Sequence, residues 1–164
     1  MKIETKRLLV RRLAENDAQT LHAALSDPGV MRYIEPPFSL EQTQIFIRDA
    51  GLCEPPLVWA VVWKRTGELI GHLIWHPWDE TSMELGWILR RDFWGHGIAK
   101  ELTAAMLART NQNVVIECSS AQAVTRHIAE DFGFATASVN AERIIFRKEA
   151  RENHILPIMP PVEV

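Results

Sequence analysis

Cysteine is scarce in this chain: Cys53 and Cys118 are the only two among 164 residues. So few thiols, so far apart, match neither a disulfide scaffold nor a zinc pattern. An excess of positive charge is also missing. The net charge is -3, which excludes the basic field that drives nucleic-acid binding. No apolar run is long enough to span a bilayer, and Met1-Lys2-Ile3-Glu4 begins no secretory h-region. Internal repeats and low-complexity stretches are absent too. What is present is 47% hydrophobic and 24% charged residues, a globular composition. At 164 residues a single core can bury roughly 70% of the unfolded surface without staples. The expectation is one cytoplasmic domain with no membrane or nucleic-acid partner.

Periodicity supplies the order of elements. Thr5 to Arg12 reads as a strand, with Leu8 and Val10 on one face. Asn16-Asp17-Ala18-Gln19 fits a capping box, and Ala18, Leu21 and Leu25 recur at helical spacing before Pro28-Gly29. Met31 to Phe38 reads as an aromatic, proline-rich loop, and Ser39-Leu40-Glu41-Gln42 opens a second helix closing near Gly51. Leu57–Trp63 and Leu69–Trp75 predict a hairpin, followed by a strand at Met83–Leu89. A helix from Gly97 to about Thr110, a buried strand at Val114–Cys118 and a helix from Ser119 to Gly133 follow. Phe134–Ser138 and Ile144–Lys148 complete the sheet, and 150–164 reads as an extended tail after a domain at 1–149. Strand, helix and strand between Met83 and Cys118 make a right-handed parallel crossover. The rest suits antiparallel pairing, so the fold class is mixed α/β with a mostly antiparallel sheet.

Trp94-Gly95-His96-Gly97-Ile98-Ala99-Lys100 joins the third strand to its helix. Free N–H groups and the positive end of a helix dipole meet there, and glycines let a ligand approach the backbone. A tight structural turn and a phosphate cradle are both open readings of a Gly-x-Gly. No Lys-Ser/Thr follows the glycines, against a P-loop. Lys100 stands where a dinucleotide fold would place its third glycine.

Taken together, Thr5–Arg11, Gly67–Gly71, Glu84–Leu89, Phe93–Ala99 and Asp131–Phe134 resemble the GNAT superfamily of acetyl-CoA-dependent N-acetyltransferases. The likeness is to the branch typified by the RimJ/RimL ribosomal-protein alanine acetyltransferases. It implies the GNAT acyl-CoA N-acyltransferase fold, a sheet with helices on both faces, and acetyl-CoA as co-substrate with no metal. It implies that Trp94, Gly95, His96, Gly97, Ile98, Ala99 and Lys100 surround the coenzyme A pyrophosphate. Trp94 stands where the superfamily motif usually has Arg or Gln. Backbone groups of Trp87, Ile88 and Leu89 would pair with the pantetheine arm like an added strand, leaving a donor for the oxyanion. Gln122 and Thr125 align with an Asn-x-x-Ser pattern, with Thr125 facing the departing thiolate as a hydroxyl donor. Ser119-x-x-Gln122 equally fits a capping box. The superfamily's tyrosine acid has no counterpart, since Tyr33 is the only tyrosine.

Glu84 lies on an otherwise apolar strand, where a carboxylate costs free energy unless solvated or paired. It is either an edge or ion-paired residue, or a general base. Acetylation needs a neutral amine, and an α-amine with pKa about 7.7–8.0 is far easier to neutralise than a lysine at about 10.4. A positioned carboxylate typically contributes about 10²–10⁴-fold. The resemblance places the family's acidic strand position at Glu84. His72 and His76 share a strand face but lack a third ligand at a suitable spacing, so no metal is expected. The acceptor is a primary amine, either a small molecule or a protein N-terminus, met by loops around Met31–Phe38 and His76–Ser82. Acidic residues at Glu35, Glu41, Asp49, Asp79 and Glu80 flank those loops, and one or two tryptophans could line the cleft. A non-catalytic acyl-CoA-binding module and an ATP-dependent phosphotransferase are the alternatives. The latter needs magnesium carboxylates where only Asp92 stands close. A monomer or homodimer is expected.

Overall fold

A computed structural model describes residues 1–150 of the chain; the predicted tail, apart from Ala150, lies outside them. Eight strands follow the apolar alternation: β1 (Ile3–Glu4), β2 (Leu8–Arg11), β3 (Val58–Trp63), β4 (Glu68–Pro77), β5 (Ser82–Leu89), β6 (Asn113–Ser119), β7 (Ala135–Val139) and β8 (Arg143–Lys148). They form one sheet in the order β1-β2-β3-β4-β5-β6-β8-β7. Every neighbouring pair is antiparallel except β5 and β6, the crossover anticipated from the sequence.

Helices cover both faces. On one side lie α1 (Ala18–Leu25), α2 (Pro28–Met31) and α3 (Leu40–Phe46), which continues into a π-helical turn at Ile47–Gly51. Leu21, Leu25, Met31 and Ile47 pack there with Ala60, Leu69 and Ile88 of the sheet. On the other lie α4 (Ile98–Leu107) and α5 (Ala123–Asp131). Ile98, Leu102 and Met106, the expected stripe of α4, join Leu73, Leu85, Leu89 and Ile116. Each such buried side chain contributes about 1.5–3 kcal/mol relative to exposure.

Several local expectations are corrected by the structure. The strand read at Thr5–Arg12 is shorter, Leu8–Arg11, and a two-residue strand at Ile3–Glu4 precedes it, because the chain turns where the Thr5 N–H bonds the Leu8 carbonyl at 2.9 Å. No side-chain cap forms at Asn16 or Asp17. Instead Asp17 turns back to accept the Ala14 N–H at 2.8 Å and to pair with both terminal nitrogens of Arg11. The first helix closes at Leu25, before Pro28 as read, and Pro28 then opens a short helix of its own: as N1 of α2 it follows Asp27, which accepts the Gly29 N–H at 2.7 Å. The last helix begins at Ala123 rather than Ser119, and α4 ends at Leu107. The Ser39 box forms as read, with Ser39 and Gln42 exchanging backbone and side-chain bonds.

β5 and β6 pair over only three positions, Ser82↔Asn113, Met83↔Val114 and Glu84↔Val115. Beyond them the two strands part, β5 staying with β4 through Leu89 and β6 staying with β8 through Ser119. The sheet therefore has a gap that widens from Glu84 upward.

Candidate active site

The near wall of the gap is β5. Its ladder with β4 is closed at one end by the Arg90 N–H on the Ile70 carbonyl (2.8 Å) and at the other by the Trp78 N–H on the Ser82 carbonyl (2.9 Å). Hydrogen-bonded and non-bonded pairs alternate in an antiparallel ladder, so even-numbered residues of β5 turn their backbone groups to β4. Those of Trp87 and Leu89 turn into the gap, where no residue of β6 pairs with them. Ile88 turns the other way, opposite His72. Of the three residues that the resemblance assigns to an added strand, Trp87 and Leu89 have backbone groups aimed to accept one. The Leu89 carbonyl already accepts the Trp94 indole N–H at 2.9 Å.

Above β5 the chain passes a short turn of 3-10 helix at Arg91–Phe93 and reaches the glycines. Gly95 and Gly97 have φ of 74° and 73°, a left-handed conformation that costs other residues roughly 1–2 kcal/mol. Gly97 is the N-cap of α4 and supplies no side-chain cap, so the first amides of that helix have no partner from the cap residue. The turn is braced from the distant bend between β1 and β2. Arg7 donates to the His96 carbonyl at 2.7 Å and to Glu101 at 2.6 Å, while Glu101 also accepts from Thr5 and from the Arg7 N–H. Burial alone would raise the Glu101 pKa, but these donors outweigh it and hold it below the ordinary carboxylate value. Lys100 pairs with Asp131 at 2.6 Å, tying α4 to α5. His96 is exposed, Ala99 half-buried and Ile98 buried.

Glu84 sits at the base of the gap, on the face covered by α1–α3, while Leu85, Trp87 and Leu89 face α4 and α5. Opposite it on β4 is His76. His76 Nε2 lies 3.2 Å from Glu84 Oε2, and His76 Nδ1 lies 2.9 Å from the Pro77 carbonyl oxygen. The bond to Glu84 and, to a smaller extent, the Pro77 carbonyl raise the His76 pKa above 6.5 against the opposing effect of burial. His72, two pleats away, is enclosed against Phe46 at 5.1 Å, and burial pushes its pKa down to about 4. The two histidines thus have different neighbours, and no group of three or more metal-ligating side chains occurs among the described residues. The pairing of His76 with Glu84 follows from register: the turn at residues 78–81 sets 76 opposite 84.

The far wall of the gap leads from β6 into α5. Thr125 lies half-buried in the first turn of α5. The Gln122 Oε1 accepts the Ser119 N–H at 2.8 Å, a bond inside the turn before α5; because α5 starts at Ala123 with no side-chain cap, the Ser119 capping box does not form. On β6, burial pushes the Cys118 thiol up from its ordinary pKa, the wrong direction for a nucleophile.

Residues 28 and 31–37 face residues 119–121 and 141–143 across a cleft of about 670 Å³. Tyr33, Glu35 and Glu142 line it, whereas Glu41, Asp49, Asp79, Glu80 and every tryptophan lie outside its lining. Residues 31–37 of the Met31–Phe38 loop border this cleft, and the His76–Ser82 turn is not part of its lining. Among the described residues no helix is long and apolar enough to cross a membrane.

A family model described as acetyltransferase (GNAT) domain matches residues 7–135. An uncharacterised N-acetyltransferase of Bacillus subtilis (strain 168), YnaD, is 32% identical over 110 residues, 65% of this chain and 64% of that protein. The chain thus spans just under two thirds of that relative's length. Among solved structures, a GNAT-family acetyltransferase from Bacillus anthracis superposes with a TM-score of 0.81 at 21% identity, covering 91% of this chain and 98% of that one. The ribosomal L7/L12 α-N-protein acetyltransferase RimL in complex with coenzyme A gives 0.76 at 17% identity, covering 92% and 98%.

Proposed function

Because the chain belongs to the GNAT acetyltransferase family, we propose that it transfers an acetyl group from acetyl-CoA to a primary amine by direct attack, with Glu84 as the base. The observation that carries this reading is the gap itself. One wall presents unpaired backbone, an uncapped helix start stands above it, and a carboxylate stands at its base.

Acetyl-CoA would supply the acetyl group as a reactive thioester. The residues present suit such a molecule. The amides opening α4, with the backbone of Gly95 and Gly97, would hold the diphosphate, supported by the helix dipole. Lys100 and the exposed His96 stand beside them. The Trp87 backbone would pair with the pantetheine amides, and its N–H can donate to the negative charge developing on the carbonyl oxygen. Glu84 faces the opposite side of the sheet, so the amine approaches from the α1–α3 face and gives its proton there. Thr125 would donate to the departing sulfur, while Gln122 shapes the start of α5. The cleft bordered by residues 31–37, where Glu35 and Glu142 are matched by Arg32 and Arg143, would receive the acceptor amine, whether a small molecule or a peptide α-amine.

Thermal shift with acetyl-CoA and thiol release over a panel of amines test this reading. Acetyl-CoA raises the melting temperature of the wild type, and thiol appears only with an amine. Glu84→Gln keeps the thermal shift and loses about 10²–10⁴-fold in rate. A wild type that binds but releases no thiol with any amine, or a Glu84→Gln variant as fast as wild type, overturns it.

A further inference from the structure

The His76–Glu84 bond cannot form between two bare acceptors. The Pro77 carbonyl only accepts, so the 2.9 Å approach of His76 Nδ1 requires a proton on that nitrogen. In a neutral imidazole the other nitrogen is then a lone pair, and it points at the Glu84 carboxylate 3.2 Å away. The opposite tautomer satisfies Glu84 but sets a lone pair against the Pro77 carbonyl. Whichever tautomer is chosen, the proton-free pair contains one acceptor–acceptor contact. The pair is therefore short of one proton whenever His76 is neutral and Glu84 ionised, and binding that proton relieves the contact. A lone carboxylate near pKa 4.3 is a poor match for an amine proton at neutral pH, whereas a raised imidazole lies much nearer the working range.

We propose that His76 is the positioning residue of the base: it receives through Glu84 the proton that the amine gives up. This inference rests on the acetyl-transfer reading above. In each turnover the bond from the amine nitrogen to the acetyl carbon forms as the carbon–sulfur bond breaks. The nitrogen loses one proton to Glu84, and one proton passes from the carboxyl to His76 Nε2. The imidazolium then donates to both Glu84 and the Pro77 carbonyl, and releases its extra proton to solvent through its quarter-exposed side chain. The sulfur leaves as thiolate, held by a hydrogen bond from the Thr125 hydroxyl, and takes its proton from water.

Other charged groups near this end of β4 have partners of their own. Asp79, in the β4–β5 turn, is bound by Thr81 and by Arg147 of β8, and Glu80 is exposed in the same turn. His22 of α1 meets Thr43 of α3 at 3.3 Å, and Glu41 of α3 is exposed. β3 is uncharged throughout, and β6 places Val115 beside Glu84. Glu84 is thus the charge that faces His76.

Two measurements test the proposal together. NMR titration of the His76 ring in the wild-type protein shows an upward-shifted midpoint that falls by at least one pH unit in Glu84→Gln. The kcat/KM of His76→Gln against pH shows an acid limb displaced toward lower pH, with a plateau about 10–100-fold below wild type, and unchanged acetyl-CoA affinity. Identical ring midpoints in wild type and Glu84→Gln overturn the pairing in solution, whatever the activity. An unmoved acid limb in His76→Gln overturns the relay even if the ring midpoints differ. A wild type that releases no thiol with any amine, while its ring midpoint is raised, removes the acetyl-transfer reading and the relay resting on it, but not the pair.

Discussion

Gln122 illustrates how one side chain can satisfy two descriptions that geometry then separates. Its position aligns with a family amide, yet its oxygen is spent on the Ser119 N–H. Removing it in Gln122→Ala is expected to cost about 0.5–1 kcal/mol, the ordinary value of a helix-start bond, with acetyl-CoA affinity unchanged. Urea denaturation beside a binding isotherm checks this, and a larger loss of affinity than of stability would return Gln122 to the cofactor. Glu84 and the glycines were legible as residues because their types conflict with their surroundings: a carboxylate on an apolar strand, and paired glycines at a strand-to-helix turn. His76 was visible only as one member of a histidine pair. Its partner depends on strand register, which residue types do not specify by themselves.

At the level of elements, the helix opened by Ser39 and the parallel crossover were readable because capping and connection length are local rules. The Pro28–Met31 helix was not, since Pro28 stops a helix or starts one according to whether Asp27 turns its carboxylate back onto the following amides. Nor was the brace on the glycine turn legible: Arg7 reaches the His96 carbonyl from the bend between β1 and β2, far away in the chain. This brace implies a division of labour. The glycines permit the conformation, while Arg7 and Glu101 hold it. Gly97→Ala introduces a side chain at φ 73° and should destabilise the fold by about 1–2 kcal/mol. If the turn relaxes to escape that strain, the amides lose their aim and acetyl-CoA affinity falls by at least tenfold. Isothermal titration beside denaturant unfolding decides between the two: lowered stability with full affinity means that the brace holds the turn, lowered affinity means that the turn relaxes, and neither change would overturn the account of the turn.

For the molecule as a whole, His72 sets a dependence on acidity. It is 1% exposed, its Nδ1 has no hydrogen-bond partner among the described residues, and burial holds its pKa at about 4. The unfolded chain binds a proton there from pH 6.5 downward while the folded chain refuses it. Stability from this group is complete above the unfolded value and is lost as pH falls from 6.5 toward 4, by about 3 kcal/mol in all. His72→Leu removes the titration and should flatten the loss across that interval, as read from denaturant midpoints at successive pH values. A slope equal to that of the wild type would mean that other groups carry it.

An opening that runs through a sheet has two mouths. Here one adjoins the uncapped start of α4, and the other lies on the side sheltered by the first three helices. If donor and acceptor each use their own mouth, neither must step aside for the other. The lip formed by residues 31–37 can then be rewritten to retarget the enzyme toward a different amine, leaving the grip on the thioester's handle as it was.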